Sequence, residues 1–136
     1  MAAIYKRRVQ FAETDMAGIV HFSMYFRYME EAEHALWRAA GLSIATVGEK
    51  TGWPRLSASF DFRAPLRFED EFEVAVSLEK ITSRTIQYRF DVVRGDTPVG
   101  AGSITIAHVS KAADGAMKAI HVPPDVVSRL RAVRNS

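Results

Sequence analysis

Residues Phe11 to Tyr25 read F-A-E-T-D-M-A-G-I-V-H-F-S-M-Y, and two periodicities meet there. On the amino side, Ile4 to Phe11 alternates Tyr5, Val9 and Phe11 with Lys6, Arg8 and Gln10, the period of a strand. On the carboxyl side, Ser23 to Ala40 holds neither Pro nor Gly. Phe26, Met29, Ala32, Leu36 and Ala39 recur there at spacings of three and four, the period of an amphipathic helix. Ser23 is a candidate cap and Gly41 a natural stop. At ~1.5 Å per residue this helix is about 27 Å long, enough to cross a small sheet. The turn Asp15–Gly18 joins the two patterns.

Beyond the helix, Ser43 to Gly52 reads as a short helix or loop, broken by Pro54. Strand patterns follow at Leu56–Arg63, Phe72–Ile81, Thr85–Val93 and Val99–Val109, rich in β-branched and aromatic residues. Gly95-Asp96 and Asp114-Gly115 are hairpin signals. Ala116 to Val122 makes a last short strand, and Pro123-Pro124 opens a terminal helix to about Val133. A sheet with one apolar face must bury it on something, and the Ser23–Ala40 helix is the element large enough. The expected class is α+β, an antiparallel sheet wrapped around one long central helix. A chain of 136 residues is expected to form one domain over residues 1–136.

Composition narrows the functions. Hydrophobic residues make up 48% and charged residues 25%, an ordinary globular balance. No cysteine is present, which excludes disulfides, thiol nucleophiles and Cys metal sites and fits the cytoplasm. No signal-peptide pattern and no apolar run of the ~18 residues needed to span a bilayer is visible. Net charge is +2, so a pI of about 9.1 reflects a small excess of Lys and Arg. Arg129, Arg131 and Arg134 read as a solvated helix face rather than a nucleic-acid surface.

The chemistry centres on Asp15. Asp is common in turns and caps, but here it stands beside the open amino end of a helix. Free N–H groups there can polarise a carbonyl, and an ionised carboxylate can attack it or activate water. Gly18 lets the backbone approach a ligand, and the helix dipole favours a nearby anion. The pair points to acyl transfer. His21 lines the site, assists a proton transfer or is peripheral. It has no second His, Cys or carboxylate at ligand spacing, so no metal site is expected. Phe22, Tyr25 and Phe26 crowd the helix entry as core or ligand contacts. Glu30 lies two turns beyond Phe22 on the side of Phe26, where it could meet the distal end of an acyl group. Arg84 and Lys118 flank strand ends and could meet phosphates. With no G-x-G-x-x-G, P-loop or G-x-S-x-G, a hydrolase without a cofactor remains.

From about Tyr5 to Leu130 the chain resembles the hotdog-fold acyl-CoA thioesterases, specifically the 4-hydroxybenzoyl-CoA thioesterase family that includes the Tol-Pal-associated enzymes. The resemblance lies in F-A-E-T-D-M-A-G-I-V, Tyr25, M-E-E-A and A-A-G-L, then F-R-A-P-L-R-F-E-D-E-F-E-V and A-I-H-V-P-P. It implies a sheet around a long helix. It also implies protomers paired edge to edge, as dimers or dimers of dimers (a homotetramer), with the active site at the dimer interface. By the same resemblance Asp15 is the catalytic aspartate, the Phe22 backbone N–H polarises the thioester carbonyl, and Gly18 is the turn glycine. Arg84 and Lys118 match positions that meet the CoA nucleotide, and Glu30 an acidic position near the acyl end. No cofactor beyond the CoA of the substrate is implied.

The Tol-Pal branch commonly carries His at the Phe22 position; here His21 comes one residue early. One helical residue rotates a side chain by ~100°, so His21 does not inherit that role. Two other readings stand beside the thioesterase. One is a hotdog dehydratase or hydratase using His21 and Glu30. The other is an acyl-CoA or acyl-carrier-protein binding module without turnover.

Overall fold

A computed structural model describes residues 2–46 and 48–134. In chain order these form β1 (Ala3–Arg8), a single 3-10 turn (Phe11–Glu13), α1 (Met24–Ala39), β2 (Thr51–Gly52), β3 (Arg55–Phe62), β4 (Glu71–Ile81), β5 (Thr85–Arg94), β6 (Thr97–Ala107), β7 (Val109–Lys111), β8 (Met117–Ala119) and α2 (Pro124–Ala132). Five strands make one antiparallel sheet in the order β1-β4-β5-β6-β3, and β2-β7-β8 make a second, three-stranded one. The fold is thus mixed α+β, an antiparallel sheet with two helices.

The sheet reads as alternation. Phe72, Val74 and Val76 of β4, Ile86, Tyr88, Phe90 and Val92 of β5, and Ile104 and Ile106 of β6 are buried, each two residues from the next. That puts one apolar face on one side of the pleat. α1 lies on this face, touching β1, β3 and β4. Its buried residues are Tyr25, Tyr28, Met29, Ala32, Glu33, Leu36 and Trp37. The apolar stripe is therefore rotated from the one the sequence suggests: Phe26 is half-buried and Ala39 exposed. Tyr25, Tyr28 and Trp37 carry large apolar bodies with polar tips, and counting aliphatics alone misplaces the face.

Close approach of α1 and β3 depends on β6. Phe60 of β3 and Phe90 of β5 both pair with Gly102. A Cβ at Gly102 would come within 2.8 Å of both Met29 Sδ and the Phe60 ring. A Cβ at Gly100 would fall 2.5 Å from the Phe60 ring and from the Asp61 carbonyl. The V-G-A-G pattern thus clears a trough in which Phe60 and α1 settle.

The ends of the elements follow local chemistry. β1 stops at Arg8 rather than Phe11; Phe11 sits in the 3-10 turn and is exposed. α1 ends in a Schellman motif: the Gly41 N–H donates to Arg38 O (3.0 Å) and the Leu42 N–H to Trp37 O (2.9 Å). Gly41 takes φ +76° there, the left-handed conformation glycine adopts without penalty. Ser23 holds the cap position, but its side chain caps nothing; its Oγ lies 2.8 Å from His21 Nδ1. The Gly95-Asp96 and Asp114-Gly115 signals fall at the β5–β6 and β7–β8 turns. Of the Ser43–Gly52 segment, Val47 lies outside the described residues; those described form no helix, and Thr51–Gly52 pairs as β2. No described helix is long and apolar enough to cross a membrane.

Candidate active site

The turn carrying Asp15 is closed by its own main chain. The His21 N–H donates to Glu13 O (2.9 Å), the Asp15 N–H to Ile19 O (2.9 Å) and the Gly18 N–H to Asp15 O (2.9 Å), while Thr14 and Val20 form an isolated antiparallel bridge. Gly18 has φ +80°, and a Cβ there would meet nothing within 4 Å. Glycine adopts that conformation without penalty, and the open space beside it leaves the turn's backbone accessible.

Asp15 is exposed. Its Oδ1 accepts the Ala17 N–H at 2.9 Å, an Asx-type bond that fixes the carboxylate, and Oδ2 has no partner among the described residues. At the mouth of α1 the amides are mostly used. The Met24 N–H donates to His21 O (2.9 Å), the Tyr25 N–H to Phe22 O (3.4 Å), and the Ser23 N–H reaches His21 Nδ1 (3.3 Å). The Phe22 N–H has no partner among the described residues.

Asp15 and Phe22 line one cavity of about 420 Å³, with Ile19, Val20, Tyr25 and the segment Phe62–Pro65. Aromatic rings build its floor: Tyr25 stacks on Phe60 (4.9 Å between centroids) and meets Phe62 edge-on (5.3 Å). Burial pushes the Tyr25 phenol above its usual pKa, so it stays neutral.

A charged network anchors this turn, and the sequence reading missed it. Glu13 is 7% exposed. Its carboxylate takes Arg7 at 2.5 and 3.1 Å, the Tyr28 hydroxyl at 2.8 Å and the Gln10 N–H at 2.9 Å. Arg7 also meets Glu31 (2.9 Å), which accepts the Tyr5 hydroxyl (2.9 Å). Burial alone would raise the Glu13 carboxyl, but Arg7, the Gln10 N–H and Tyr28 hold it below the ordinary carboxylate range. The Tyr28 phenol is driven far up by burial and then by its bond to Glu13. The available signal was phase: Arg7 shares the inward register of Tyr5 and Val9, and an inward Arg needs an inward acid.

The other expected site residues do not gather at Asp15 within one chain. His21 is exposed and does not line the cavity; its ring bonds Ser23 and packs on Phe22 (4.6 Å). Phe26 does not line it either. Glu30 pairs with Arg55 (3.1 Å), beside the fully buried Glu33, whose oxygens lie 2.5 and 2.9 Å from Arg55. Glu30, His34, Trp53, Arg55 and Lys111 line a separate cavity of about 580 Å³. Glu30 stands six residues along α1 from Met24, about 9 Å at ~1.5 Å per residue, which carries it away from the helix mouth. Arg84 and Lys118 lie near the β2-β7-β8 end: the His108 N–H donates to Arg84 O, and Lys118 sits on β8. Arg94, at the opposite end of β5, bonds Pro65 O (2.6 Å) of the Asp15 cavity. A ten-residue strand separates these ends, a length of ~30 Å at ~3.3 Å per residue. Among the described residues no three His, Asp or Glu side chains are grouped to hold a metal ion.

Known proteins share this architecture. A solved 1,4-dihydroxy-2-naphthoyl-CoA thioesterase from Synechocystis is 18% identical, with 98% of each chain covered and a TM-score of 0.88, a likeness of fold. A hypothetical protein from Aquifex aeolicus of known structure is 34% identical, covering 93% of this chain and 98% of that one, with a TM-score of 0.85. A 1,4-dihydroxy-2-naphthoyl-CoA hydrolase from Prochlorococcus marinus is 31% identical over 108 residues, 73% of this chain and 72% of that protein. The class defined is a hotdog-fold thioester hydrolase. The chain belongs to the thioesterase-like superfamily, whose family model matches residues 9–130.

Proposed function

We propose that this protein hydrolyses an acyl-CoA thioester to the free acid and CoA, with Asp15 as nucleophile or general base and the Phe22 N–H as oxyanion donor. The observation that carries the reading is one cavity lined by a carboxylate with a free oxygen and by the residue whose amide is unpartnered at the mouth of α1. A thioester carbonyl on that amide gains polarisation where charge develops, worth ~3 kcal/mol for one good donor. Asp15 then either attacks the carbonyl carbon, giving a mixed anhydride and CoA thiolate that water resolves, or takes a proton from the attacking water. CoA thiolate leaves readily, so the reaction needs no strong general acid, metal or redox cofactor. The relatives named as CoA thioester hydrolases support CoA as the carrier. Within the superfamily we place the chain in the 4-hydroxybenzoyl-CoA thioesterase branch, acting in the cytoplasm as a single domain with its sheet curved around α1. His21, turned onto Ser23, and Glu30, paired with Arg55, both lie outside the Asp15 cavity, which counts against the dehydratase reading that needs them together.

The active form we propose is a homo-oligomer. β3 is an eight-residue sheet edge whose stretch Leu56–Phe60 carries no charge. An edge left so unguarded invites pairing, and β1, the other edge, presents Lys6 and Arg8 to solvent. A two-fold axis normal to the sheet would set β3 against β3 of a second copy, antiparallel. The Phe62 end, with Asp15, would then meet the partner's opposite end, the end that carries Glu30, Arg55, Arg84 and Lys118. Such a site would also shield the exposed Asp15 from bulk water. The test is thiol release over a panel of short, long and aromatic acyl-CoAs. Asp15→Asn is expected to lower kcat by ~10²–10⁴; undiminished turnover by that variant, or no release from any substrate by the parent, defeats the reading.

A further inference from the structure

We infer that Glu13 is a positioning residue for this site, setting the spacing between the Asp15 carboxylate and the Phe22 amide; the inference rests on the roles proposed above for those groups. Glu13 acts through both its side chain and its main chain. Its carbonyl accepts the N–H of His21, the residue before Phe22, at 2.9 Å. On the other arm of the loop, Asp15 follows two residues later. The Glu13 carbonyl therefore pins the two arms at their base, and Asp15 and Phe22 stand just beyond the pin.

The side chain fixes where that pin lies. Its oxygens take Arg7 of β1 at 2.5 and 3.1 Å and Tyr28 of α1 at 2.8 Å. Arg7 is itself held by Glu31 of α1 at 2.9 Å, and its guanidinium lies 5.2 Å from the Tyr28 ring centroid. The loop is thus clamped to the strand before it and the helix after it through one carboxylate. The Asp15–Ile19 and Thr14–Val20 closures lie inside the loop and fix its shape, not its placement. Val20 N–H to Leu66 O, 2.8 Å, ties it to the residue that follows Pro65 of the cavity lining.

A buried ion pair adds little net stability over an apolar pair of the same volume, but it fixes geometry through its directed bonds. The catalytic pair is sensitive to geometry: a displacement of ~1 Å of a reacting group costs on the order of 10²-fold in rate. The loop is short, and the carboxylate is the group that spans it to both neighbours. Its chemical task is therefore placement of Asp15 and Phe22, without contact with the substrate.

The test compares Glu13→Gln, Tyr28→Phe and Arg7→Lys with Asp15→Asn and with Leu130→Ala, a buried change in α2 remote from the cavity. kcat and KM are measured well below each variant's melting temperature with whichever acyl-CoA the parent turns over. Glu13→Gln is expected to lose ~10- to 100-fold in kcat with KM within ~2-fold. Tyr28→Phe, which removes one of its bonds, should lose less in the same pattern. Leu130→Ala should lose melting temperature and keep kcat. If Glu13→Gln does not fold, Tyr28→Phe and Arg7→Lys carry the test. The inference is overturned if Asp15→Asn is inactive while the Glu13, Tyr28 and Arg7 variants that fold keep kcat within ~2-fold of the parent, or lose it only as Leu130→Ala does. Full turnover by Asp15→Asn would instead remove the proposed site itself.

Discussion

Asp15 is held by its Oδ1 bond to the Ala17 N–H, which orients the carboxylate and leaves Oδ2 open. Glu13, two residues earlier, is the same functional group in the opposite setting, buried and fully engaged. That difference separates an acid available for chemistry from an acid committed to structure. It also sets the pH behaviour. The folded-state pKa of Glu13 lies below its unfolded value, so its contribution is complete above the unfolded pKa of ~4.3 and is lost as pH falls through the lower folded value. Melting temperature measured from pH 6 down to pH 3 should fall less steeply in Glu13→Gln than in the parent (an interval set by that same ~4.3). Parallel curves would show that the Arg7–Glu13 pair carries no linked protonation.

At the scale of elements, α1 meets β3 and β6 through an absence of side chain. Gly102 opposes Phe60 on one side and Phe90 on the other, and Met29 descends from α1 onto it. Gly102→Ala would drive a methyl group into Met29 Sδ, the Phe60 ring and the Ser59 carbonyl. Met29 can rotate away, but the backbone carbonyl cannot, so a loss of ~1–3 kcal/mol is expected in urea unfolding at constant m. An unchanged midpoint would mean that β3 and β6 separate freely. This trough explains what was and was not legible in the sequence. Alternation placed β4, β5 and β6 because each turns one apolar face inward, whereas β3 buries Phe60 alone, and Gly41 ended α1 because its φ is +76°. The helix face was misplaced because tyrosines fill it. The Arg7–Glu13–Tyr28 clamp was missed because each member is ordinary in its own segment, and the contacts span 6 to 15 residues. The placing of Asp15 beside the mouth of α1 was legible because so few residues join them, while the choice of the Phe22 amide came from the family resemblance.

At the scale of the whole molecule, the residues expected to act together stand at opposite ends of the sheet. Arg84 lies one residue before β5, and Arg94, at its other end, touches the Asp15 cavity wall. No rotation of side chains closes a gap of ~30 Å, so if Arg84 and Lys118 serve the Asp15 site, they serve the site of another copy. Complementation tests this directly. Asp15→Asn homo-oligomers would lack the acid at every site. Arg84→Ala/Lys118→Ala homo-oligomers would lack the cations at every site. In a mixed dimer, one site would carry both defects and the other neither. Random mixing makes half the dimers hybrid, so co-refolding equal amounts should restore about a quarter of the parental rate at low substrate concentration. The restored rate should show the parental KM, because the surviving site is intact. A mixture that gives no more than the sum of its separate components would mean that the cations and the acid never share a site, and that substrate phosphates are met elsewhere, with the exposed Arg63 on the Asp15 cavity wall the nearest cation to examine next.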